Sequence, residues 1–243
     1  MKRMLFILFL LAGSGPFARA SGSDFEEAQA AYDSGSYSEA ARLYQNMLSN
    51  GIDNVEVYYN LANADFKAGD LPQAVRYYRR AWYTAPRDPD IRANLHFALN
   101  AVGAIEPEYP FIQRMLLTFS SREWIWIAAG SYLVLALFIL MAMLIRGARA
   151  AFLRLCLLPL AALLMALGGW LTWRGFGALP EGVIATTGIT ALYGPVEGST
   201  AHYKLPAGAL VRLTGTDSKG WVEVEYDGKK GWVNRGTILT LYP

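Results

Sequence analysis

The chain has 243 residues, of which 53% are hydrophobic and 17% charged, an apolar balance too high for a wholly soluble protein, so part of it belongs in lipid. A formal net charge of +2 supplies no general attraction to DNA or RNA, and no nucleic-acid partner is expected. The single cysteine, Cys156, can form no intramolecular disulfide, and in its apolar run it reads as a small buried hydrophobe.

At the N-terminus, Lys2 and Arg3 precede an apolar core from Met4 to Ala12, then Gly13 to Pro16 and Ala18-Arg19-Ala20. This is the pattern of a secretory signal with an A-x-A cleavage site, over residues 1–20. The apolar core is too short to cross about 30 Å of hydrocarbon, so it is not expected to remain as an anchor. Export would place the segment that starts at Ser21 outside the cytoplasm.

Residues 21–104 carry an internal repeat. Ala28, Ala30, Tyr32, Gly35, Ala40 and Tyr44 recur 34 residues later as Ala62, Ala64, Phe66, Gly69, Ala74 and Tyr78. The period and pattern resemble the tetratricopeptide repeat, a pair of antiparallel helices whose small residues allow close approach. The second copy is the stronger, with Asn60-Leu61-Ala62 in its first helix and Pro86 closing it. Asp88-Pro89-Asp90-Ile91 starts a further helix in which Asn94, Leu95 and Ala98 repeat Asn60, Leu61 and Ala64, and this helix is expected to cap the stack. In the tetratricopeptide family the concave face binds extended or helical peptides. Phe25, Gln29, Tyr32, Tyr59, Asn63, Phe66 and Lys67 would lie on that face here, with packing between repeats as the alternative role for the aromatics. Arg76, Arg79 and Arg80 fall on a second helix and are expected to form a solvated outer face.

Residues 105–122 read as a connector. Pro107 and Pro110 interrupt helix, and Phe111, Ile112, Met115, Leu116 and Phe119 are spaced as the apolar side of a short helix lying on a membrane surface. Trp124 to Ile145 and Leu155 to Trp173 then form two uncharged runs, each long enough at 1.5 Å per residue to be read as a transmembrane helix, over residues 123–145 and 155–173. Trp124 and Trp126 would mark the outer interface at one end of the hairpin, and Trp170 and Trp173 the same interface at the other. Gly168 and Gly169 would permit close helix packing. Between the runs, residues 146–154 form a short loop with Arg146, Arg149 and Arg154 and no acid, which is expected to stay cytoplasmic. Both flanking domains would then face outward from a cytoplasmic membrane.

Residues 182–243 consist of short β-rich runs separated by turns, and read as a small all-β barrel. Asp227-Gly228 predicts a two-residue hairpin, and Val222, Val224 and Tyr226 alternate with Glu223 and Glu225 as a half-buried strand. Gly194-Pro195, Leu205-Pro206-Ala207-Gly208, Gly220-Trp221 and Gly231-Trp232-Val233 resemble, in order and spacing, the bacterial SH3 domain. Tyr193, Tyr203, Trp221 and Trp232 would line a peptide or glycan-peptide groove, or else pack the barrel.

Catalytic motifs are missing. His96 and His202 lie on separate domains, far in sequence from Cys156, and there is no C-x-x-C, H-E-x-x-H or phosphate loop. No enzyme activity, cofactor or metal is expected. The order of signal peptide, repeats, transmembrane hairpin and SH3-like domain resembles the BatE-type family of the aerotolerance operon, as do Asn60-Leu61-Ala62-Asn63-Ala64, Ala85 to Leu95 and Gly231-Trp232-Val233. That resemblance implies an envelope scaffold whose partners are membrane-bound von Willebrand factor A-type proteins. The rival reading is a cell-wall protein whose barrel holds peptidoglycan peptides while its repeats recruit an enzyme.

Overall fold

The computed structural model describes residues 22–173, 181–218 and 220–241; the expected signal peptide lies outside them. Five helices come first: α1 (Gly22–Asp33), α2 (Tyr37–Ser49), α3 (Val55–Ala68), α4 (Leu71–Thr84) and α5 (Pro89–Ala101). Local chemistry sets their ends. Asn54 Oδ1 accepts from the Val57 amide at 2.8 Å, Asp70 from that of Gln73, and Asp88 from those of Asp90 and Ile91, each satisfying an otherwise orphaned first-turn donor. Pro72 and Pro89 sit in first turns, where a missing amide hydrogen costs nothing. Gly69, at φ 87°, ends α3 in the left-handed conformation that a Cβ disfavours.

The repeat core follows the 34-residue pattern. Ala28, Ala40, Ala62, Ala74 and Ala98 are all fully buried, and their small size lets the helices approach, while Tyr44, Leu61, Val75, Tyr78 and Leu95 fill the space between. After α5 the chain runs without helix to Pro110, as the two connector prolines dictate.

Next come α6 (Phe111–Leu117) and α7 (Ser121–Leu144), a 3-10 turn (Arg146–Ala148), α8 (Arg149–Leu155) and α9 (Leu157–Leu171). Ser120 and Glu123 form a reciprocal capping box at the start of α7. Ser121–Leu144 and Arg146–Leu171 are each long and apolar enough to cross a membrane, and only 6% and 11% of their apolar windows are buried. A core helix of a soluble protein would be mostly covered. The segment 146–154, expected as a loop, is instead largely helical, because Arg149 to Leu155 contains good helix formers and no breaker.

Helices α7 and α9 pack on each other. Trp124, expected at the lipid interface, is only 3% exposed. Its ring fills the place where Gly169 lacks a side chain, since a Cβ there would lie 2.2 Å from the ring, and its Nε1 donates to the Leu116 carbonyl at 3.0 Å. Gly168 faces open space. Trp126 remains exposed, as an interfacial tryptophan would be.

The last part is a seven-stranded antiparallel sheet: β1 (Glu181–Ile184), β2 (Ile189–Leu192), β3 (Ala201–Leu205), β4 (Leu210–Ser218), β5 (Trp221–Tyr226), β6 (Lys229–Asn234) and β7 (Ile238–Thr240), in the order β3-β2-β6-β5-β4-β1-β7. Asp227 and Gly228, at φ 51° and 69°, make the expected hairpin turn between β5 and β6. Val183, Ala191, Leu205, Val222, Val224 and Val233 close over the inner face. Gly231 has no side chain because Ala191 Cβ would lie 2.8 Å from one. The architecture is therefore a helical repeat region, two apolar helices and an SH3-like β domain.

These parts touch. The sheet rests on α4, where Arg76 Nε donates to the Thr240 carbonyl at 2.9 Å. From the connector, the Ile105 amide donates to the Tyr226 hydroxyl at 3.0 Å, and Arg212 Nη2 donates to the Glu108 carbonyl at 3.1 Å. The expected solvated arginine face is thus overturned at Arg79, which is 0% exposed. An outward-facing helix in the repeats became an inward-facing one once a second domain covered it.

Candidate interaction surfaces

The seven residues expected on the concave face come from the first helices α1 and α3, and the structure divides them by environment. Phe25 packs edge-on against Tyr44, with ring centroids 5.7 Å apart, and belongs to the interior of the first repeat. Gln29 lies between Asp33 and Tyr44, donating to the carboxylate at 2.9 Å and accepting from the phenol at 3.2 Å. Burial pushes the Tyr44 phenol up to about 12, so it stays a donor. Tyr32 meets Tyr37 edge-on at 5.2 Å.

In the second repeat, Tyr59 and Asn63 join a polar cluster with residues of α4 and α5. Asn63 Oδ1 accepts from the Tyr78 hydroxyl at 2.6 Å and from Asn94 Nδ2 at 3.4 Å, and the same Asn94 nitrogen donates to the Tyr59 hydroxyl at 2.8 Å. Burial raises the Tyr78 phenol above its ordinary value, which keeps its proton available to Asn63. Asn63 thus ties three helices together through its side chain. Phe66 tilts against Phe97 of α5 at 5.4 Å, and Lys67 is exposed beside it.

Phe97 is 62% exposed and completes an aromatic strip that runs across the first helices from Tyr32 through Tyr59 and Phe66. Sequence reading missed it, although it stands 34 residues beyond Asn63 and so occupies the same repeat position. The sheet docks on α4, a second helix, and of these rings Phe97 is exposed while Tyr32, Tyr59 and Phe66 are half-buried against the repeat core.

On the β domain, the four aromatics separate onto different faces. Trp221 is opposite Asn234, and Trp232 is opposite both Glu223 and Leu192. Strand alternation therefore puts both tryptophans on the outer face, diagonal to each other and away from buried Val222, Val224 and Val233. Glu223 on this face accepts from the Thr214 hydroxyl at 2.6 Å. Tyr193, 64% exposed, stacks on His202 with centroids 4.1 Å apart. Tyr203 instead packs on the core, opposite Ala191, and donates to the Lys229 carbonyl at 3.0 Å. Burial pushes its phenol up to about 12. Tyr193 is exposed, Trp221 and Trp232 are half-buried on the outer face, and Tyr203 supports the sheet.

A third constellation joins the domains. Arg79 on α4 lies flat against Glu181 on β1, with Nε to Oε2 at 2.8 Å and Nη2 to Oε1 at 3.0 Å. Tyr83 donates to Glu181 Oε2 at 2.7 Å, Tyr109 contacts both partners, and Glu106 lies 3.3 Å from Arg79 Nη1. Burial disfavours the guanidinium charge, but the Glu181 carboxylate outweighs it and holds Arg79 above its ordinary value. Glu181 escaped notice in the sequence because it stands alone, one residue before the first expected barrel residue. Among the described residues no group of His, Cys, Asp and Glu is arranged to hold a metal ion.

Comparison with known families agrees with this division. Residues 24–95 match the tetratricopeptide repeat, and residues 194–238 match the bacterial SH3 domain. No curated protein matches the chain. The two families make it a protein with modules of the kind that bind other proteins, and with a β domain of a class that fits an envelope location.

Proposed function

We propose that this chain is a non-enzymatic, membrane-anchored envelope scaffold that holds partner proteins on the open face of its repeats. The observation that carries this reading is the exposed ring of Phe97, beside half-buried Phe66 and on the same first-helix side as Tyr32 and Tyr59, while the β domain docks on the second helix α4. Aromatic rings on an exposed face supply large contact area at little entropic cost, which suits them as anchors for a peptide. The two apolar helices, little covered by the rest of the protein, serve as its lipid anchor, with Arg146, Arg149 and Arg154 at the cytoplasmic turn. The order of repeats, hairpin and SH3-like domain supports a BatE-type role in aerotolerance or stress-related complex assembly, with membrane-bound von Willebrand factor A-type proteins as partners.

Co-purification of such a partner from solubilised membranes tests the groove. Phe97→Ala should lower capture about tenfold or more while lowering the melting temperature only slightly, since the ring is mostly exposed and loses one contact, with Phe66. Undiminished capture by Phe97→Ala and Lys67→Glu together would remove the groove from the reading.

A second reading rests on Trp221 and Trp232, which stand on the outer face of the sheet and do not pack against its core. In this reading the β domain binds peptidoglycan peptides and the repeats recruit a cell-wall enzyme. Sedimentation of the full chain with purified sacculi, compared with a Trp221→Ala/Trp232→Ala variant, distinguishes the two.

A further inference from the structure

A cleft of about 750 Å³ opens between the turn after α4, the connector and α6. Its floor includes Leu117 and Thr118, and α7 begins three residues later at Ser121. A cavity placed there sits where the chain enters its apolar span, at the depth of lipid headgroups. Beside it α6 exposes Phe111, Ile112 and Met115, an apolar surface left largely uncovered by the described residues.

The charges in the cleft are unevenly committed. Arg87 pairs with Glu123, and Glu106 pairs with buried Arg79. Arg92 and Arg114 line the same cleft, are exposed, and have no side-chain partner among the described residues. Glu108, exposed at the rim, opposes them, as does the part of the Glu106 charge that Arg79, shared with Glu181, leaves unbalanced. Two uncommitted guanidinium groups beside an apolar shelf match the chemistry of an anionic phospholipid: forked donors for the phosphate and a dry surface for the acyl chains.

We propose that this cleft seats the phosphate of an anionic phospholipid between Arg92 and Arg114, with its acyl chains along Phe111, Ile112 and Met115. The proposal rests on the membrane-anchored reading and adds a lipid specificity to it. The bound headgroup would fix the height and tilt of the repeat domain above the bilayer, because Arg92 belongs to α5 and Arg114 to α6.

The test uses the full chain in neutral detergent, titrated with phosphatidylglycerol, phosphatidylcholine or glycerol 3-phosphate while the melting temperature is followed. Phosphatidylglycerol should half-saturate the shift at a concentration about tenfold or more below phosphatidylcholine. Each arginine near an anionic headgroup contributes about fivefold, so Arg92→Gln/Arg114→Gln should weaken phosphatidylglycerol about 25-fold. Arg122→Gln, at the start of α7 but outside this cleft, should keep the preference, and Glu108→Gln should strengthen it. Equal response to the two lipids, an unaffected double variant, or an equal loss in Arg122→Gln would overturn the site. A response to glycerol 3-phosphate as strong as to the lipid would assign the cleft to a soluble phosphate instead. Reconstitution into pure phosphatidylcholine vesicles separates this from the underlying reading: failure to insert removes the membrane anchor, whereas insertion without headgroup preference removes only the lipid site.

Discussion

Arg79 and Glu181, 102 residues apart in the chain, meet in a doubly hydrogen-bonded pair from which solvent is excluded, their side chains 0% and 1% exposed. This pair joins the repeat region to the β domain. A buried ion pair is weak evidence of net stabilisation, because both charges lose their hydration, but removing one partner strands the other. Glu181→Ala should therefore destabilise the solubilised chain by about 3 to 5 kcal/mol, whereas Arg79→Met/Glu181→Leu should recover most of that loss. Melting curves of the three proteins decide it, and a Glu181→Ala variant as stable as wild type would refute the role given to the pair.

Asp65 supplies a pH dependence of definite sign. It is buried on α3 with Oδ2 lacking a hydrogen-bond partner among the described residues, and burial, reinforced by nearby Asp70, pushes its carboxyl up to about 7 while Arg76 works in the opposite direction. The folded state therefore holds a proton that the unfolded chain releases near its ordinary value of 3.8. Stability linked to this group is fully present below about pH 4, falls as pH rises towards 7, and is flat above. Asp65→Asn should abolish that slope and be the more stable protein at pH 8, by on the order of a few kcal/mol. Denaturant titrations of both proteins from pH 4 to pH 8 measure the difference directly.

The hairpin contact at Gly169 separates it sharply from its neighbour. A side chain at 169 would overlap the Trp124 ring, while position 168 faces open space. Gly169→Leu should push the two apolar helices apart and lower the melting temperature in detergent, at a cost of about 1 to 3 kcal/mol or more. Gly168→Ala should be close to neutral or slightly stabilising, since alanine favours helix. Equal effects at the two positions would contradict the packing of Trp124.

For orientation, reporter fusions after Gly103, at Ala148 and after the C-terminal residue should read outside, inside, outside. The basis is the run of arginines at the hairpin turn and the absence of acids there. A cytoplasmic reading at either flanking domain would reverse the proposed topology.

Sequence by itself determined the parts. Alanines at a 34-residue period, prolines after helix caps, uncharged runs of bilayer-spanning length and an Asp-Gly between alternating strands are local signals, and each acts through local backbone or burial preferences. Gly69 at its turn, Ala74 in the core and the hairpin at Asp227 were legible for that reason. Tertiary structure alone decided how the parts meet. Nothing near Arg79 in the chain distinguishes it from Arg76 or Arg80, and it is taken out of solvent by a carboxylate 102 residues away together with Glu106 and Tyr109 of the connector. Trp124 likewise looked like an interfacial residue until Gly169, on another helix, made room for its ring. The same holds for the open faces: periodicity could place Tyr59, Asn63 and Phe66 on one side of α3, but which side remains uncovered depends on where the β domain docks, and that is a property of side chains far apart in sequence and close in space.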